Sequence, residues 1–251
     1  MKFTAIIPAR YASTRFPGKP LALLGGREVI NHVVDRVRSA GLQVIVATDD
    51  QRIFDCVERA GGNAVMTRSD HLCGTDRVRE AADMLPPDVD VIINVQGDEP
   101  FIHPEQLRAL MQVFERYPDT EIATLVRPIP RSTPYEELAD PSLVKVVVDN
   151  EGKALYFSRF PIPYLRGVEP HLWSDRHQYL AHVGVYAYSK TTLHRITQMS
   201  ADKLERAESL EQLRWLQAGI EIRTAYTSIT GIGIDTPQDL AKAEAYLQKG
   251  C

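Results

Sequence analysis

The chain has 251 residues, 44% of them hydrophobic, enough for a sizeable core and one α/β domain spanning 1–251. A formal net charge of -4, with no basic tail or long charge run, speaks against a nucleic-acid partner. Three cysteines (Cys56, Cys73, Cys251) without Cys-x-x-Cys spacing speak against a disulfide framework and a zinc ribbon. The N-terminal apolar run is cut by Pro8 and Arg10, too early for a signal peptide, and no stretch has the length of a membrane span, so a cytoplasmic protein is expected.

Residues 3–7 read as a buried strand. Val29, Val33 and Val37, at i, i+4 and i+8, predict a helix that stops near Gly41. A second strand is expected at 43–48, a helix at 51–60 ended by Gly61-Gly62, a short strand at 64–66 and a helix after Gly74. "VDVIINVQ", residues 89–96, is the clearest central strand. This βαβαβ alternation predicts a mostly parallel, Rossmann-like twisted sheet flanked by helices. After residue 120 the rhythm changes to the strand "IATLV" and to "VKVVVDNEGKALYFS", a hairpin turning at Asn150–Lys153. Residues 159–178, with Pro161, Pro163 and Pro170, read as a long loop, then a strand at 182–188 and helices near 190–199, 208–218 and 237–249. The segment 127–188 is thus an antiparallel hairpin and Pro-rich arm, a candidate lid or dimer contact.

Positive charge is uneven. Residues 1–27 hold Lys2, Arg10, Arg15, Lys19 and Arg27 and no acid, a sum of +5, so the other 224 residues sum to -9. The stretch "RYASTRFPGKP" follows the first strand, where open parallel sheets gather ligands. Phe16-Pro17-Gly18-Lys19 fits a type II turn, and Pro20 biases Lys19 toward extended backbone. Neither a P-loop nor a dinucleotide fingerprint is present. "IIPARYASTRFPGKPL" closely resembles the N-terminal signature of sugar nucleotidyltransferases, in particular the cytidylyltransferases that activate 3-deoxy-manno-octulosonate (Kdo). "VATDD", "CGTDRV", "NVQGDEP", "VKVVVDNEGKALYFSR", "HVGVYAY", "LEQLRWL" and "GIDTPQDL" resemble that family's blocks in order along nearly the whole chain.

The resemblance implies a nucleotide site of Pro8, Ala9, Arg10, Ser13, Lys19, Arg77 and Gln96. Arg10 and Lys19 would hold the triphosphate of CTP, with Lys19 supporting charge on the α-phosphate and on leaving pyrophosphate. Arg15 is as readily a surface cation. Asp98 directly follows the strand "VIINVQ" and Asp235 follows "GIGI"; two carboxylates beside phosphates suit Mg²⁺, and resemblance favours metal at both. The structural alternatives are a turn residue for Asp98 and a helix cap for Asp235, although Thr236 before Pro237 would serve as that cap. Asp49-Asp50 reads as the start of the next helix. Relatives often carry serine where Cys73 stands, which puts a hydroxyl contact there in question.

Kdo is itself an acid. The resemblance assigns Arg159, His182, Glu211 and Gln212 to the sugar, each with a structural alternative: an ion pair for Arg159, an internal strand role for His182, a solvated helix face for Glu211. The expected activity is transfer of CMP from CTP to Kdo for lipopolysaccharide biosynthesis, by a homodimer, with no evident general base. Alternatives are a related acceptor (8-amino Kdo or a sialic acid) and a nucleotide-binding regulator without catalysis; a glycosyltransferase is disfavoured because "DEP" lacks Asp-x-Asp.

Overall fold

The computed structural model describes residues 1–12 and 15–248. The chain divides into two compact units, one of residues 1–108 with 230–251, the other of residues 109–229.

The first unit begins with β1 (Phe3–Ala9), whose Ala5, Ile6 and Ile7 are fully buried. A 3-10 turn (Lys19–Leu21) leads to the small antiparallel pair β2 (Leu23–Leu24) and β3 (Arg27–Glu28). Helix α1 (Val29–Ser39) turns Val29, Val33 and Val37 inward, as their spacing requires. Then follow β4 (Gln43–Thr48), α2 (Gln51–Arg59), β5 (Ala64–Met66), α3 (Gly74–Asp83) and β6 (Val91–Asn94). β1 pairs in parallel with both β4 and β6, and β4 pairs in parallel with β5. The order β6-β1-β4-β5 places the carboxyl ends of β1, β4 and β6 on one edge, so residues 8–10, 49–50 and 96–98 come out together.

Helix α4 (Pro104–Arg116), which the pattern reading above did not anticipate, leads into the second unit. There β7 (Ile122–Pro128) is followed by the short helix α5 (Tyr135–Leu138), the hairpin β8 (Lys145–Val148) and β9 (Ala154–Ser158), and α6 (Trp173–Arg176). β10 (Leu180–Ser189) pairs antiparallel with β7 and β8. The expected hairpin is present, β8 against β9. Helices α7 (Lys190–Ile196), α8 (Lys203–Glu208) and α9 (Gln212–Gln217) precede β11 (Ile222–Tyr226), which runs parallel to β7. The helix expected over 208–218 is broken because Ser209 takes φ +51. The Pro-rich segment is ordered by its own small core: Trp173 is 2% exposed, donates Nε1–H to the Val168 carbonyl at 2.9 Å, and packs with Tyr135, Tyr164 and Tyr179.

The chain then returns to the first unit as α10 (Pro237–Leu247), seated by Leu24, Val29, Phe101, Ile234 and Ala243. Position 249, the end expected for this helix, lies outside the described residues. No described helix is long and apolar enough to cross a membrane.

Candidate active site

At the carboxyl edge of the first unit lies a cavity of about 230 Å³, bordered by Pro8, Ala9, Arg10, Arg15, Lys19, Arg77, Gln96, Gly97, Asp98 and Asp235, with the 71–74 loop. The structure thus collects the nucleotide and metal residues expected from the sequence in one place, except Ser13, which lies outside the described residues.

Lys19 is directed by local chemistry. Gly18 has φ +73 and ψ 10, the third position of a type II turn, and Lys19 N–H donates to the Phe16 carbonyl at 3.2 Å. The extended bias from Pro20 does not prevail: the bonds Leu21 N–H to Gly18 O (2.9 Å) and Ala22 N–H to Lys19 O (3.1 Å) wind Lys19–Leu21 into a 3-10 turn. The lysine side chain, 12% exposed, reaches Asp98 Oδ2 at 2.5 Å and Asp235 Oδ1 at 3.1 Å. Arg15 also reaches Asp235 Oδ1, at 3.1 Å, and so belongs to the site rather than to a remote surface.

The two aspartates meet through their backbones. Ile234 N–H donates to the Asp98 carbonyl at 2.9 Å, so burial of Ile234 carries Asp235 to the end of β6. Thr236 caps α10 in a reciprocal capping box with Asp239, which leaves the Asp235 carboxylate to face the lysine. Gly97 is required where this segment passes β1, since a Cβ there would lie 3.0 Å from the Pro8 carbonyl. Glu99, not singled out from the sequence, is pushed up to about 7 by burial, then by the neighbouring charges of Asp98 and Asp235, with Lys19 opposing. The only sequence signal for it was its place beside Asp98.

Asp49 and Asp50 divide their work. Asp50 caps α2 through Arg52 N–H, whereas Asp49 accepts from Arg77 at 2.8 Å. Arg77 is 4% exposed and also donates to Thr67 Oγ1 at 2.6 Å, so it borders the cavity from a buried anchor. Gln96 Nε2 donates to Asn94 Oδ1 at 3.4 Å.

The four residues assigned to the sugar lie in the second unit. Arg159 donates Nε–H to the Glu208 carbonyl at 2.5 Å and its two terminal nitrogens to Pro141 O (2.8 Å) and Ser209 O (3.1 Å). Three of its five N–H groups therefore hold backbone. His182 Nε2 bonds Thr124 Oγ1 at 2.9 Å, with Phe157 and Tyr186 against the ring, and burial pushes its pKa down to about 3. Glu211 accepts from Arg214 at 2.6 Å. Gln212 is 4% exposed, and its Nε2 has no hydrogen-bond partner among the described residues. The same holds for the hydroxyl of Tyr186, 8% exposed, whose ring centroid is 5.2 Å from that of His182. Sequence reasoning missed Tyr186 inside a block it had noted, because alternation along a strand does not reveal which hydroxyls are satisfied.

The sequence pattern of the cytidylyltransferase family matches residues 4–222. A 3-deoxy-manno-octulosonate cytidylyltransferase of Bacteroides thetaiotaomicron is 50% identical over 248 residues, 99% of this chain and 99% of that protein. One of Porphyromonas gingivalis is 49% identical over 244 residues, covering 97% and 96%. The solved structure of CMP:2-keto-3-deoxy-manno-octonic acid synthetase complexed with CTP superposes with a TM-score of 0.92, at 44% identity and full coverage of both chains. Similarity of this degree along the whole length, on a cavity that gathers the loop cations and both aspartates, shows that the chain belongs to the 3-deoxy-manno-octulosonate cytidylyltransferase family of nucleotidyltransferases.

Proposed function

We propose that the protein transfers the cytidylyl group of CTP to the anomeric hydroxyl of Kdo. The hydroxyl oxygen forms a bond to the α-phosphorus, the α–β phosphoanhydride bond breaks, pyrophosphate leaves and the hydroxyl proton is released. The observation that carries this reading is Lys19 held by Asp98 and Asp235 at the mouth of the first strand, in a family whose relatives carry this activity in their names. Arg10 and Arg15, on the same rim, supply further charge for a triphosphate.

The donor set also fits Mg²⁺. Two carboxylates already converge on one positive charge, the lysine ammonium, and hard cations at phosphates take one or two carboxylates with water and phosphate oxygens. Asp98 and Asp235 would hold the ion, which when bound would neutralise phosphate charge. Lys19, released from the carboxylates in that state, would face the α-phosphate and stabilise the charge that grows during displacement.

For the sugar, the buried amide of Gln212 and the phenol of Tyr186 supply hydrogen-bond donors that a polyhydroxylated acid would satisfy. Arg159 has two N–H groups beyond the three that hold backbone, and His182 presents a neutral ring. We further place the protein in the cytoplasm as a homodimer serving lipopolysaccharide assembly. The exposed Leu155, Phe160 and Tyr164 of the hairpin and arm are the apolar surface offered to a second copy.

Purified protein given CTP, Kdo and Mg²⁺ should release pyrophosphate, and chelation should abolish the release. Absence of pyrophosphate with Kdo, or equal release with UTP, would overturn the assignment.

A further inference from the structure

Among the described residues, the loop that presents Arg10, Arg15 and Lys19 is tied at its base by the hydrogen bond from Gly18 N–H to the Tyr11 carbonyl at 2.9 Å. Tyr11 follows Arg10 and Gly18 precedes Lys19, so this bond sets the spacing of the two cations' backbones. The Tyr11 ring lies so close to Gly18 that a Cβ there would be 3.1 Å from its Cε2, Cζ and Oη. Over the ring sits Arg52, its guanidinium carbon 3.4 Å from the centroid. Arg52 is itself held by a two-pronged pair with Asp50, Nε to Oδ1 at 2.9 Å and a terminal nitrogen to Oδ2 at 2.7 Å. Asp50 is fixed in turn as the cap of α2. Neither Tyr11 nor Arg52 borders the cavity.

From this geometry we infer that Arg52 is a positioning residue for nucleotide binding: pinned by Asp50, it presses on Tyr11 and holds shut the loop that aims Arg10 and Lys19 into the cavity. The inference rests on the reading of that loop as the triphosphate cradle. A planar guanidinium paired with a carboxylate on one edge keeps its face for an aromatic ring, which a flexible ammonium does less well. A guanidinium held only for local helix capping would need Asp50 alone and no ring beneath it. Because the loop must keep its spacing before the phosphates arrive, slackening it raises the cost of binding CTP and leaves the acid sugar's own contacts untouched.

The experiment uses the full chain as wild type, Arg52→Gln, Tyr11→Leu, Tyr11→Phe and the double variant Arg52→Gln/Tyr11→Leu. Two readouts are taken: amide exchange at Gly18 without nucleotide, and steady-state pyrophosphate release with CTP and Kdo. A ring–cation contact at an exposed site corresponds to about a two- to fivefold effect. Gly18 should exchange faster by that factor in Arg52→Gln and Tyr11→Leu. KM for CTP should rise by a similar factor, with KM for Kdo unchanged and the melting midpoint lowered by no more than a few degrees. Tyr11→Phe, which keeps the ring and loses only the hydroxyl's own interaction with Arg52, should be affected less than Tyr11→Leu, and the double variant should be no worse than the poorer single one. Unchanged exchange at Gly18 in both single variants, or effects that add in the double variant, would overturn the clamp. Faster exchange at Gly18 in a protein that releases no pyrophosphate at all would leave the clamp standing and overturn the activity instead.

Discussion

Lys19 and its aspartates in the first unit are held in the opposite way from Arg159 and His182 in the second. In the first, Lys19, Arg15, Asp98 and Asp235 are paired with one another at the rim of a cavity, and every pair is between charges that a triphosphate and a metal ion can replace in kind. In the second, Arg159 is bonded to three backbone carbonyls and His182 to a buried threonine, contacts that no ligand can exchange without loosening the chain. The lesson is that an ion pair between candidate site residues marks a group free to act, whereas a cation holding carbonyls marks one that shapes the surroundings first.

The sharpest test of the exchangeable side is Asp98→Asn, which keeps shape and removes the charge. Turnover should fall on the order of 10³-fold, the scale expected when a charge-stabilising element is lost, while CTP affinity changes less than tenfold. Near-wild-type turnover would remove Asp98 from the chemistry. On the structural side, Arg159→Met should cost about 2–4 kcal/mol of unfolding free energy, because three carbonyls lose a charged donor. A variant that melts like wild type and only raises KM for Kdo would show that Arg159 is a ligand after all, and the contrast between the units would narrow to His182.

Much of the first unit was legible because its signals are local. The β-branched runs at 3–7 and 43–48, the valine spacing of α1, the type II turn at Phe16–Lys19 and the Thr236-Pro237 cap are each decided within a few residues. What escaped depends on partners far along the chain. The resemblance had paired Asp98 with Asp235 but not the Ile234 backbone bond that joins them, and that Arg77 finds Asp49 and Tyr11 finds Arg52 is likewise not encoded in a local pattern. The break at Ser209 and the raised carboxyl of Glu99 follow likewise from packing rather than periodicity. In the second unit the resemblance supplied the residues Arg159 and His182 but not their bonds, and those bonds change what each residue does first.

His182 offers the smallest and most specific test of that point. Its pKa lies near 3 in the folded chain because burial among Phe157, Tyr186 and Thr124 disfavours the cation, against about 6.5 for an unfolded histidine. The unfolded chain therefore binds a proton first as pH falls. The neutral ring's contribution is complete above pH 6.5 and is lost progressively below it, down toward pH 3. Between pH 7 and pH 5 this site should cost about 1–2 kcal/mol of unfolding free energy. His182→Gln, which keeps a polar group near Thr124 but does not titrate, should lack that part of the acid slope while the rest of the profile is preserved. Denaturant titrations of both proteins at pH 7 and pH 5 measure the difference. If the two slopes coincide, the ring titrates in the folded chain as it does in the unfolded one, and His182 is then available as a cation at mildly acidic pH for the sugar's carboxylate, which would place it with Lys19 on the exchangeable side of the comparison.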